Sequence, residues 1–261
     1  MKTRILSAFI MLPLLAFLYL GGLWLVVMVF AIGVLGVREF FKGFATLGVK
    51  PSYPIAVVST IGLYIIYLFN GKPEWYLLWG FLSVLASLLY LFNIDQRKLE
   101  DAMATITGIF YIVFFSFHVV LIEKTGDAAI LIWLVVLSAF GSDIMAYFTG
   151  MAIGRHKLCP SISPKKTVEG AIGGVVGSIL ICGVFGFIFA GGYFWHCLII
   201  GGIGAMISQC GDLTASVFKR KMGIKDYGNL IPGHGGILDR FDSVLFTAPA
   251  VFYYIVLVIK P

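Results

Sequence analysis

The chain is expected to fold as an all-α polytopic membrane protein, and three observations predict it. First, 60% of its 261 residues are apolar and only 12% are charged, against roughly a quarter charged in soluble domains. A water-soluble core of this length cannot hide that much apolar surface. Second, the apolar side chains, about 157 of them, fall into runs near the length of a bilayer span. At about 20 residues per span they suggest roughly eight or nine helices. Third, the basic residues are spread one-sidedly over the connecting segments.

Taken in order, the apolar runs place helices near 5–20, 22–41, 54–69, 75–92, 104–122, 128–150, 168–190, 194–215 and 243–260. The first run, behind Lys2 and Arg4, continues past Gly21 and Gly22 without a small-residue cleavage site, so it is expected to be a retained span. With the N-terminus in the cytoplasm, sixteen of the 19 basic residues fall on the inside, and only Lys72, Lys124 and Lys260 lie outside. One miscounted helix would exchange every later loop, so the bias supports about nine spans, N-terminus inside and C-terminus outside. The net charge of +6 then follows from loops facing anionic lipid, and no nucleic-acid partner is expected. Cys159, Cys182, Cys197 and Cys210 form no C-x-x-C pair and read as small hydrophobes. Residues 1–261 are expected to form a single integral membrane domain. Within it, 1–140 would be mainly scaffold helices and 141–261 would carry catalytic helices and cytoplasmic loops.

Chemistry is concentrated in the second half. Gly211 to Ser243 reads GDLTASVFKRKMGIKDYGNLIPGHGGILDRFDS. It holds Asp212, the cations Lys219, Arg220, Lys221 and Lys225, a Pro-Gly-His-Gly-Gly turn, and Asp239 with Asp242. Asp239 and Asp242 are three apart, on one face of a helix expected after the turn. Carboxylates beside a basic cluster suit a Mg²⁺–polyphosphate complex: hard oxygens bind the metal and cations bind the phosphates. Gly233, Gly235 and Gly236 would let main-chain N–H groups approach a phosphate. The bland alternative is a charged membrane-surface loop whose acids pair with its own bases. A second segment, GRHKLCPSISPKKTVEG over 154–170, offers Lys165 and Lys166, with Thr167 placed to cap the following helix. A helix N-terminus beside two lysines suits an anion; such a loop can equally serve topology alone. Asp143, with Tyr147 one turn later, lies within an apolar run, where an ionisable group is a candidate by default. His234 is held in the glycine turn, whereas His118, His156 and His196 read as packed or interfacial residues.

From Ser216 to Asp242, S-V-F-K-R-K-x-x-x-K-D-x-G-x-x-I-P-G-H-G-G-I-L-D-R-F-D resembles the signature of the phosphatidate cytidylyltransferase (CDP-diacylglycerol synthase) family, bacterial type. S-Q-C-G-D-L (Ser208 to Leu213), S-P-K-K-T-V-E-G (Ser163 to Gly170) and S-D-x-x-A-Y-x-x-G (Ser142 to Gly150) are similar to further patterns of that family. The resemblance implies transfer of the cytidylyl group of CTP to phosphatidate with release of pyrophosphate, in the cytoplasmic leaflet of the cell inner membrane. It implies Asp212, Asp239 and Asp242 as catalytic, metal-binding carboxylates for Mg²⁺, with room for a monovalent cation such as K⁺. Ser163, Lys165, Lys166, Thr167, Lys219, Arg220, Lys225, His234, Gly235, Gly236 and Arg240 are implied as substrate-binding, with Asp143 and Asp226 as further candidates. CTP and phosphatidate are the expected partners, within membrane lipid, and a homodimer is left open.

Two other classes compete. A CTP-dependent polyprenol kinase would share a membrane CTP site but must activate an alcohol. A transporter predicts ionisable groups on both sides of the membrane and related halves, which the one-sided charge and the lack of visible repeats oppose. A phosphotransferase that consumes CDP-lipid would need a D-G-x-x-A-R pattern, and the sequence has none.

Overall fold

A computed structural model describes residues 15–230 and 235–260. Gly21 and Gly22 take φ of 61° and 54°, a left-handed conformation open to glycine, and separate a helical stretch over 15–20 from α1. Helix α1 spans Gly22–Ala45, α2 Tyr53–Leu68 and α3 Pro73–Leu89, the last two with proline in the first turn. A continuous helical rod then runs from Leu99 to Glu123: α4 (Leu99–Thr107), a wide π segment (Gly108–Phe114) and α5 (Phe115–Glu123). A 3-10 turn, Gly126–Leu131, leads into α6 (Ile132–Ile153). Helices α7 (Val168–Phe189), α8 (Phe194–Lys221) and α9 (Leu238–Tyr254) complete the described chain, α9 running into a π turn, Ile255–Ile259.

Seven of these helical segments are long and apolar enough to cross a bilayer, and Tyr53–Leu68 is apolar but shorter. The architecture is that of an all-α, multi-pass membrane protein. The expected first span, 5–20, lies mostly outside the described residues. The span expected at 104–122 starts earlier, at Leu99, where Asp101 in the first turn accepts the main-chain N–H of Lys98 at 3.0 Å. The segment over 154–170, read from sequence as a loop, contains a short antiparallel ribbon: β1 (Lys157–Cys159) pairs with β2 (Ser163–Thr167).

The described chain divides into two compact units. One holds the chain up to Phe117 together with Lys221–Arg240. Its α1 buries Leu25, Val29, Ile32, Gly36 and Phe40 at helical spacing. Gly36 gives that face close access to Ile112, where a Cβ would stand 3.0 Å away. Asp101 also receives the Lys50 N–H at 2.7 Å, which fixes the α1–α2 connection to the start of α4. Leu77 and Phe81 on α3 remain exposed, as suits a lipid-facing helix.

The other unit holds His118–Arg220 and the chain from Phe241 onward. Its helices meet through small residues, the usual device where hydrocarbon surrounds the protein. Gly170, Gly174 and Gly177 line the face of α7 toward α6. A Cβ at Gly170 would lie 2.8 Å from the Ala146 carbonyl, and one at Gly174 would lie 2.9 Å from that of Ser142. Gly211 on α8 approaches the Asp242 carbonyl of α9 in the same way, at 2.9 Å. These approaches bring the polar ends of α6, α7, α8 and α9 together.

Candidate functional site

Close packing of α6, α7 and α8 leaves a cleft of about 350 Å³, lined among others by Asp143, Tyr147, Lys165, Lys166, Gln209 and Asp212. Thr167 also borders it and caps α7 as the sequence suggests: its hydroxyl accepts the Gly170 N–H at 3.1 Å. The cap ends the β2 strand and starts the helix at one residue, so Lys165 and Lys166 are held beside a helix N-terminus. Lys165 is exposed; Lys166 is half-buried, and its ammonium forms an ion pair with Asp212 Oδ2. Charge of both signs is thus paired at the cleft wall.

One helix on, Asp242 is buried, with 7% of its surface exposed, and accepts the Ser243 N–H at 2.8 Å. Asp212, Lys219 and Asp143 act on it electrostatically, and the Ser243 hydroxyl donates to Asp143 Oδ2 at 3.3 Å. The ribbon is tied down as well. Glu169 receives the Arg155 N–H at 3.0 Å and meets His156 Nδ1 at 2.6 Å, while Arg220 Nε donates to the Ile162 carbonyl at 3.3 Å. Ser163 begins β2 and is half-buried. This unit therefore brings Asp143, Lys165, Lys166, Thr167, Asp212, Lys219 and Asp242 into one neighbourhood, with Ser163 and Arg220 on the bracing ribbon.

The remaining candidates lie in the other unit. Lys225 and Asp226 are exposed there. His234 and Gly233 lie outside the described residues. Gly235 takes φ of 86°, and a Cβ on it would stand 2.8 Å from Asp239 Oδ2, so glycine is required. Asp239 Oδ2 accepts two main-chain N–H groups, from Tyr227 at 2.8 Å and from Gly236 at 3.0 Å. The Gly236 amide, read from sequence as open to a phosphate, is therefore given to Asp239. The buried Nε of Arg240 has no hydrogen-bond partner among the described residues, which suits a residue waiting for an anion.

Glu39 was not singled out in the sequence. It is buried in α1, and its carboxylate accepts the Ile237 N–H at 3.1 Å and the Leu238 N–H at 2.9 Å, capping α9 from 199 positions away. A Cβ at Gly228 would stand 2.6 Å from Glu39 Oε1, and one at Gly236 would overlap the same carboxylate. The available signal was a carboxylate inside an apolar helix, the criterion that picked out Asp143. Gln209 lies within the S-Q-C-G-D-L motif, and its position on the cleft follows only from the packing.

For a divalent metal, the donor chemistry fits. Mg²⁺ takes one or two carboxylates and completes its shell with substrate phosphates and water. Among the described residues no group of three or more His, Cys, Asp or Glu side chains could hold an ion by itself. The buried Asp242 and the half-buried Asp212 that acts on it electrostatically are two carboxylates of the kind the first description calls for.

A polytopic helical protein with a lysine- and aspartate-lined cleft at its polar helix ends defines a membrane enzyme of phosphate chemistry. The chain belongs to the cytidylyltransferase family, whose model matches residues 2–258. It is 34% identical to a phosphatidate cytidylyltransferase of Synechocystis sp. over 290 residues, covering 98% of this chain and 97% of that one. A Staphylococcus epidermidis protein of the same name is 34% identical over 258 residues, with 95% and 96% covered. The Bacillus subtilis one is 30% identical over 280 residues, with 98% of each covered.

Proposed function

We propose that this chain transfers the cytidylyl group of CTP to phosphatidate, giving CDP-diacylglycerol and pyrophosphate, at the cytoplasmic face of the inner membrane. The observation that carries the reading is the Lys166–Asp212 pair at the cleft beside the capped start of α7. That contact supports the reading, because an ammonium suits phosphate and a carboxylate suits a metal. A phosphatidate oxygen forms a bond to the α-phosphorus as the bond to pyrophosphate breaks. That oxygen is largely ionised near neutral pH, since a phosphate monoester has a second pKa of about 6, so no strong general base is required. The difficulty is bringing two anions together, which calls for fixed cations and in-line positioning. Lys165 and Lys166 bind phosphate, and Lys219 offsets the acids around Asp242. Asp212 and Asp242 would hold Mg²⁺, which supplies charge neutralisation at the reacting phosphates when bound. Asp239 joins that ligand set through its place in the signature, with Oδ2 also holding the glycine turn. Lys225, Asp226, His234, Gly235, Gly236 and Arg240 enter on the same ground, and a K⁺ site and a homodimer are further parts of the reading.

Purified protein, Mg²⁺, phosphatidate and CTP labelled at the α-phosphate should yield labelled lipid and free pyrophosphate. Label transferred from the γ-phosphate to a polyprenol would instead establish the kinase.

Lys166→Ala should weaken use of CTP or phosphatidate by about 10- to 100-fold in kcat/KM, the effect of losing one charge-assisted hydrogen bond of about 1.5–3 kcal/mol. Unchanged kinetics for both substrates would reduce Lys166 to a topology determinant. Single-cysteine labelling should find positions 165 and 260 on opposite sides of the membrane; the same side for both would overturn the proposed orientation.

A further inference from the structure

Gln209 stands on α8 one turn before Asp212 and lines the same cleft. Its Nε2 donates to Ser142 Oγ at 3.1 Å and to the Ala171 carbonyl at 2.9 Å. A main-chain carbonyl only accepts, so chemistry settles the amide orientation: nitrogen faces Ala171 and Oε1 points the other way. Both N–H groups are then used within the protein. Oε1 has no hydrogen-bond partner among the described residues and is not sealed from solvent. The cleft therefore presents a fixed, neutral acceptor. Tyr147, 65% exposed, borders the cleft and offers an aromatic face. About 4.5 Å further along α8, at a rise of 1.5 Å per residue, stands Asp212, paired with Lys166.

An aromatic face, a lone acceptor and a charged rim match the parts of a nucleotide in order. We propose that Gln209 reads the base: Oε1 accepts the exocyclic 4-amino group of cytosine, whose ring lies against Tyr147, while the phosphates extend toward Lys165, Lys166 and Asp212. The inference rests on the CTP reading above and adds the reason for the choice of base. Uracil presents a carbonyl oxygen at that position, so two lone pairs would face each other with no donor between them. Sites built to hydrogen-bond a substrate group reject the analogue that lacks it far more strongly than apolar pockets reject a change of size.

The competing role is purely structural, with Gln209 tying α6 and α7 to α8. That role affects every nucleotide alike, so the decisive quantity is a ratio. With phosphatidate and Mg²⁺, kcat/KM is measured for CTP, UTP and the cytidine triphosphate analogue lacking the 4-amino group. The wild-type protein should favour CTP over both others by about 10- to 100-fold, the scale of one neutral hydrogen bond lost with its partner left unpaired. Gln209→Leu should bring CTP and the desamino analogue within about threefold of each other, by loss on CTP. Tyr147→Leu should raise KM for both nucleotides together. Equal use of CTP and the analogue by the wild-type protein overturns the inference, whatever the variants do. So does a Gln209→Leu variant that keeps the wild-type ratio. If the wild-type protein fails to use CTP at all, the cytidylyl-transfer reading falls, and the base assignment with it.

Discussion

Asp242→Asn should lose about 100- to 1,000-fold in kcat, the scale seen when one preorganised charge-stabilising group is removed from a reaction centre, while the protein inserts and purifies as before. The acid is buried, with Asp212 and Asp143 both acting on it. Like charges this close are costly to keep in a desolvated place. Neutralising one of them should leave the melting temperature unchanged or raise it. Activity and stability are expected to move in opposite directions, a pattern that an ordinary packing role cannot give. Asp95→Asn, at an exposed acid in the turn after α3, is the control and should stay near wild type. A melting temperature that falls in Asp242→Asn, with activity within twofold of wild type, would make Asp242 a structural acid and withdraw it from the metal site.

Glu39→Gln should be the most damaging change outside the cleft. The carboxylate meets two N–H donors. An amide keeps one acceptor and turns its own N–H₂ toward the second donor, leaving a buried group unsatisfied at a cost of about 1–3 kcal/mol. The helix it caps carries Asp239 and Asp242 in its first turns. Amide exchange over 235–240 should therefore accelerate together with a drop in kcat. Gly228→Ala supplies a second reading of the same contact. In the wild-type background its methyl collides with Glu39; in a Glu39→Ala background it has room, so the second substitution should add little to the first. Additive losses would show that the two positions do not share the contact.

The apolar periodicity, the Thr167 cap and the helix start after the glycine turn were all readable in the sequence, because each depends on neighbours within a few residues. The ribbon over 157–167 was not, since two prolines and a run of cations signal a loop and pairing depends on how the flanking helices are anchored. The cleft residues Asp143, Lys166 and Asp212 could each be suspected alone. Their meeting depends on glycine-mediated approach of α6, α7 and α8, and no short-range pattern encodes that distance. Asp239 shows the limit most plainly. Spacing placed it with Asp242 as a ligand, whereas its Oδ2 also organises the turn that precedes it. Glu39 and Ile237 are 198 positions apart, beyond the reach of any local rule.

The ribbon that carries Lys165 and Lys166 is braced at its base and at its tip. Glu169 and the Val168 N–H hold Arg155 and His156, the latter at 2.9 Å, and Arg220 holds Ile162. The conformational freedom that an ordinary basic loop surrenders when it grips a phosphate is here already lost during folding. Binding should then carry a small ordering entropy, and a bound nucleotide should not need to recruit the loop before chemistry begins. On the proposed function, the lysines would form a preformed socket, and discrimination between ligands would fall to the fit of the ligand itself.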